Sequence, residues 1–130
     1  HVFPDAAACV TALAFDGVPL GVASTSRRDR LDLTLARSGL GRYFQATVAG
    51  DEVGRGKPAP DVYLAAAARL GVRPADCLAV EDTGIGAAAA VAAGMRVIGV
   101  ARVPVEVGRL LGAGAGLVDR LDPTVLREVL

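Results

Sequence analysis

Three polar clusters in this sequence could act together: the hydroxyls Ser24-Thr25-Ser26, the lysine Lys57 in the loop from Asp51 onward, and the adjacent acids Glu81-Asp82. A serine hydroxyl can donate to a phosphate oxygen. Amides that open a helix after it would favour an anion through their unsatisfied N–H groups and the helix dipole. A lysine ammonium offers compact positive charge to a phosphate dianion. Adjacent carboxylates are hard oxygen ligands of the kind Mg²⁺ prefers, with water and substrate oxygens completing an octahedron. Together these residue types suit a phosphate ester handled beside a divalent cation, where the protein mainly positions groups and neutralises charge.

Such groups act together only if the chain brings them to one place, and the hydrophobic pattern predicts that it does. A helical stretch opens at Pro4-Asp5, carries Val10, Leu13 and Ala14 on one face and stops at Asp16-Gly17. A short buried strand over 19–24 ends in the hydroxyls, and a helix from about Arg27 carries Leu31 and Leu35 to a stop at Gly39. A weaker strand over 46–49 precedes a helix from Pro60-Asp61, with Tyr63, Leu64, Ala67 and Leu70 on one stripe and Gly71 closing it. The strand 78–80 runs into Glu81-Asp82, followed by an alanine-rich helix over 85–93. Then come a strand over 97–100, a helix from Pro104 through Leu111, a strand at Leu117-Val118, and a last helix capped by Asp122-Pro123 and cut short by the chain end. Continuous rather than alternating apolar strands argue for a parallel sheet covered on both faces. In such sheets ligands sit beyond the carboxyl ends of the strands, where all three polar clusters fall.

Composition narrows the functional classes. One domain of 130 residues, 52% hydrophobic and only 4% aromatic, must build its core from Ala, Val and Leu. Fourteen basic and fourteen acidic residues cancel, which argues against a nucleic-acid surface. No stretch reaches the ~18 to 20 apolar residues of a membrane span, and the N-terminus does not read as a secretory signal. Cys9 and Cys77 read as free thiols of a reducing cytoplasm. A zinc site lacks ligands, and a Ser-His-Asp triad is disfavoured because the single histidine is residue 1.

The segments GVASTS, GKPAPDVY and AVEDTGIGAAAAVAAGM closely resemble the second, third and fourth motifs of the haloacid dehalogenase-like hydrolases. The match is best to the branch holding β-phosphoglucomutase and the phosphoglycolate-type phosphatases, in order and spacing from Pro4 onward. The resemblance implies an α/β three-layer core with a parallel Rossmann-like sheet, of which residues 1–130 are the C-terminal portion. It implies Ser24, Thr25 and Lys57 as phosphate-binding residues, Ser24 and Lys57 taking part in catalysis, and Asp82 with Glu81 as ligands of a Mg²⁺ cofactor. The substrate implied is a small phosphorylated metabolite, hydrolysed through an aspartyl-phosphate; a phosphosugar mutase is the alternative.

One departure qualifies this. Family members use an Asp-x-Asp motif at the tip of a first, central strand, and this chain contains no Asp-x-Asp. Phe15-Asp16-Gly17-Val18 has one aspartate and no apolar strand before it, so it reads as a helix stop. The missing first strand is expected between strands 19–24 and 78–80, leaving two unpaired edges, and the specificity-bearing cap is also missing. The chain alone is therefore expected to be inactive and marginally stable. A non-catalytic phosphate- or metal-binding module, or a subunit whose sheet another chain completes, stays open.

Each cluster alone also has a plain explanation: Ser24 as a helix cap, Lys57 as a solvated lysine, Glu81-Asp82 as acids favouring a helix start. Three such explanations would have to coincide in family order. Gly84-Ile85-Gly86-Ala87-Ala88-Ala89 fits a dinucleotide fingerprint with Glu106 as its acid. That reading is disfavoured, because two acids precede the first glycine and Glu106 falls in a helical stretch.

Overall fold

The computed structural model describes residues 2–130. Six helices alternate with five strands: α1 (Pro4–Phe15), β1 (Gly21–Ala23), α2 (Arg28–Ser38), β2 (Ala46–Val48), α3 (Asp61–Leu70), β3 (Leu78–Glu81), α4 (Gly84–Ala92), β4 (Arg96–Val100), α5 (Glu106–Gly112), β5 (Gly116–Val118) and α6 (Pro123–Val129). Every strand pairing is parallel, so each paired strand is reached by a helical crossover. The predicted stops at Gly39 and Gly71 close α2 and α3, each with φ 71°. Asp122 caps α6 as predicted, its carboxylate accepting from the Thr124 amide.

The strands form two sheets rather than one. β1 pairs with β2, with Val22 opposite Thr47, while β3, β4 and β5 form a second sheet in that order. The break falls between β1 and β3, where the family resemblance leads to the expectation of an absent strand. Its mark is Val80, an apolar residue in mid-strand that stays 39% exposed.

Helices cover both faces. Along β4, Val97 joins one buried cluster with Tyr63, Ala87, Ala90 and Leu110, and Ile98 and Val100 join another with Cys9, Leu13 and Leu126. This period of two puts α3, α4 and α5 on one face and α1 with α6 on the other. Small side chains allow the close layering: Ala87, Ala89 and Ala90 are completely buried in α4. Two boundaries differ from the sequence reading. The buried face of α3 is Val62, Tyr63, Ala66 and Ala67, leaving Leu64 43% exposed. Helix α5 starts at Glu106, two residues beyond Pro104, which lies in a turn.

Charged side chains finish the margins. On the outer edge of β2, Arg28 and Arg69 both donate to the Thr47 carbonyl, at 2.9 and 2.5 Å, which occupies an acceptor another strand could use. Cys9 and Cys77 are both free, and burial pushes their thiols above the ordinary value, which disfavours the reactive thiolate. Among the described residues no helix is long and apolar enough to cross a membrane.

Asp5 ties α1 to the loops after β4 and β5. It accepts two bonds from Arg102, at 2.9 and 2.8 Å, and one from the Leu121 amide at 2.9 Å, while Arg102 stacks over Phe3. The Arg102 bonds hold the Asp5 carboxyl down to about 2 from 3.8, against the opposing effect of burial. Because the folded value lies below the unfolded one, this stabilisation is complete above pH 3.8 and fades as pH falls through about 2. Asp5→Asn is therefore expected to flatten the dependence of the urea midpoint on pH across that window. An unchanged slope would remove Asp5 from the account.

Candidate functional site

The carboxyl ends of β1 and β3 face a cleft of about 400 Å³ lined by Thr25, Lys57, Asp82, Ile85 and Arg109, with Glu81 in its wall. β3 carries Glu81 as its last residue, with Asp82 exposed immediately beyond. Lys57 arrives from the loop between β2 and α3. Its Nζ donates to the Ala23 carbonyl at the end of β1 (3.1 Å) and to Glu81 Oε1 at the end of β3 (2.6 Å). One ammonium thus bridges the break between the two sheets. The lysine and glutamate side chains are only 10% and 8% exposed. Desolvation of such a pair offsets most of its Coulomb attraction, so its value is in holding position rather than in stability.

A third group joins them. The Tyr63 hydroxyl on α3 donates to the same Glu81 Oε1, and Lys57 Nζ lies 5.0 Å from the centroid of its ring. Burial, with the Glu81 carboxylate beside it, pushes the Tyr63 phenol well above its ordinary range, so the hydroxyl keeps its proton and donates. Glu81 Oε2 lies over α4, 2.1 Å from where a Cβ on residue 86 would stand; only glycine leaves that space. Thr83 caps α4, accepting from the Gly86 amide at 3.1 Å.

Thr25, Lys57, Glu81 and Asp82 are thus brought together as the sequence predicts. Ser24 is not among the residues lining the cleft. Its hydroxyl accepts from the Ser26 amide at 3.0 Å, the local cap that short hydroxyl side chains form in turns. Helix α2 begins at Arg28, as expected, and its first amide donates to Asp51 at 3.0 Å.

The sequence reading gave Tyr63 and Glu106 no part in the phosphate site. Tyr63 counted only as part of an apolar stripe, which hides what its hydroxyl does. Glu106 begins α5, and its buried carboxylate accepts from the Gly84 amide at 3.3 Å, at the start of α4. A pyrophosphate would need that helix start, and a carboxylate stands there, so the dinucleotide reading fails on the structure. A signal for Lys57 was available in composition: the chain has thirteen arginines and this single lysine. A compact ammonium fits between a carbonyl and a carboxylate where the planar guanidinium fork would not.

A divalent cation can be tested against the donors present. Lys57 and Tyr63 occupy Glu81 Oε1, which leaves Glu81 Oε2 and the exposed Asp82 carboxylate. Among the described residues no third acid, histidine or cysteine completes a protein cage. Mg²⁺ is commonly held by one or two carboxylates with water and phosphate oxygens, so this donor set fits it.

Residues 1–94 match the profile of the haloacid dehalogenase-like hydrolases. The chain belongs to that family. It is 44% identical over 82 residues to the fructose-1-phosphate phosphatase YqaB of Escherichia coli, covering 63% of this chain and 44% of the relative. Against β-phosphoglucomutase of Bacillus subtilis it is 37% identical over 115 residues, 88% of this chain and 47% of the relative. A solved haloacid dehalogenase-family hydrolase of Deinococcus radiodurans, with bound phosphate and sodium, superposes with a TM-score of 0.83 at 36% identity, covering 98% of this chain and 58% of that one. The chain therefore spans less than half the length of these two curated relatives. Its fold is the α/β core of the family, and its neighbours lie in the phosphoglucomutase and phosphatase branch.

Proposed function

We propose that this chain supplies the phosphate- and cation-binding half of a Mg²⁺-dependent phosphomonoester hydrolase acting on a small phosphorylated metabolite. The observation that carries this reading is Lys57, held by Ala23 and Glu81 beside Thr25 and Asp82 in one cleft. Lys57 neutralises the phosphate dianion, and Thr25 lines the wall beside it. Asp82 and Glu81 Oε2 would hold Mg²⁺, which supplies charge neutralisation at the phosphoryl oxygens. An aspartate from outside these residues would attack phosphorus as the alkoxide leaves with a proton, and water would then cleave the acyl phosphate to orthophosphate. On this reading the chain alone is inactive. The free thiols support a reducing, cytoplasmic setting.

Two further readings have support. The relationship to β-phosphoglucomutase favours transfer of the phosphoryl group within a sugar phosphate in place of hydrolysis. The break between β1 and β3, with Val80 exposed beside it, favours completion of the sheet by a parallel strand from another segment or chain.

The test is orthophosphate release by the full-length protein from a panel of sugar and glycolate phosphates, with Mg²⁺ and with chelator. Release that needs Mg²⁺ and falls at least ~10²-fold in Asp82→Ala is expected. Isomerised sugar phosphate without net release would select the mutase. Mg²⁺-independent turnover, or an active Asp82→Ala, would overturn the assignment.

A further inference from the structure

Tyr63 sits where a phenylalanine would fill the same space. A buried hydroxyl must find a partner, and the partner it finds is the acid in the wall of the cleft. Lys57 donates to the same oxygen at 2.6 Å, so Glu81 Oε1 carries two donors while no hydrogen bond reaches Oε2 among the described residues. The carboxylate is confined on the far side as well, since Oε2 occupies the space that Gly86 leaves open. A carboxylate held through one oxygen in this way cannot swing round to offer both.

We infer that Tyr63 is a positioning residue that sets the choice of cation at this site. With Lys57 it holds Glu81 Oε1, and the two donors together make Glu81 a one-oxygen ligand, which suits small octahedral Mg²⁺ and disfavours Ca²⁺, whose larger shell readily takes carboxylates through both oxygens. Tyr63 touches neither substrate nor cation and acts through Glu81. The inference rests on the cation site proposed above.

The experiment is calorimetric titration of Mg²⁺ and, separately, Ca²⁺ into the full-length protein, its Tyr63→Phe variant and an Asp82→Ala control, with thermal unfolding of each. Loss of groups that orient metal ligands typically weakens binding by about 10–100-fold. Tyr63→Phe is expected to weaken Mg²⁺ by about 10-fold and Ca²⁺ much less, so that the ratio of the two affinities falls. Glu81→Asp, which draws the carboxylate back from the Tyr63 hydroxyl, should lower the same ratio and serves if the phenylalanine variant does not fold. An unchanged ratio in a folded variant overturns the inference and leaves the cation site standing. Equal weakening of both ions with a lowered unfolding midpoint also overturns it, since a structural role alone would do that. Mg²⁺ binding that is absent from the unaltered protein, or insensitive to Asp82→Ala, overturns the cation site and this inference together.

Discussion

Lys57→Ala in the full-length protein is expected to lower kcat/KM for phosphate-ester turnover by about 10²–10³-fold, the loss seen when one group that stabilises transition-state charge is removed. Lys57 is the chain's single lysine and faces the cleft between the ends of β1 and β3. The other cation lining the cleft, Arg109, is an exposed residue of α5 that lies 3.7 Å from Glu106. The same substitution removes one partner of a buried ion pair and leaves Glu81 with Tyr63 alone. Breaking such a pair typically costs ~3–5 kcal/mol, so the variant should also unfold at lower urea. Adding Glu81→Gln removes the unpaired charge and should restore much of the stability without restoring turnover. Steady-state phosphate release and urea midpoints on the single and double variants separate the two effects. Near-normal turnover in Lys57→Ala would remove the lysine from the site.

Gly86→Ala is expected to destabilise the protein by about 2–4 kcal/mol, although alanine is the better helix former by ~1 kcal/mol. The added methyl would lie 2.1 Å from Glu81 Oε2 and 2.2 Å from its Cδ, so the carboxylate must leave or the helix must shift. Either movement separates Glu81 from Lys57 and Tyr63, and Mg²⁺ binding should fail with it. Gly108 in α5 is the control. Nothing lies within 4 Å of a Cβ built there, and Gly108→Ala should be neutral or stabilising. Chemical denaturation of both variants reads the contrast, and equal effects would show that the Glu81 contact is not what matters.

The alternation of helices and strands was legible in the sequence because its signals are local. Stops at Gly39 and Gly71 and the cap at Asp122 depend on a few consecutive residues. Ser24 shows the limit of that legibility. Its type and place suit a phosphate donor, and its oxygen accepts from the Ser26 amide, which leaves the proton to donate; that it lies outside the residues lining the cleft was not legible in the sequence. The stripe on α3 fails in part: periodicity placed Tyr63 and Ala67 on the buried face correctly, but only packing decided that Val62 and Ala66 join them and Leu64 does not.

What the sequence determined by itself is the family and the residue types that meet at the candidate site. Thr25, Lys57, Glu81 and Asp82 follow apolar runs in an order that places them at one end of a parallel fold, and their types suit a phosphate and a hard cation. What only the tertiary structure decided is which group holds which. Lys57 binds residues 34 and 24 positions away, Tyr63 reaches Glu81 across 18, and Arg102 finds Asp5 across 97. Such pairings depend on how helices and strands stack rather than on neighbours in the chain. The division into two sheets, with one lysine spanning the break, arises in the same way.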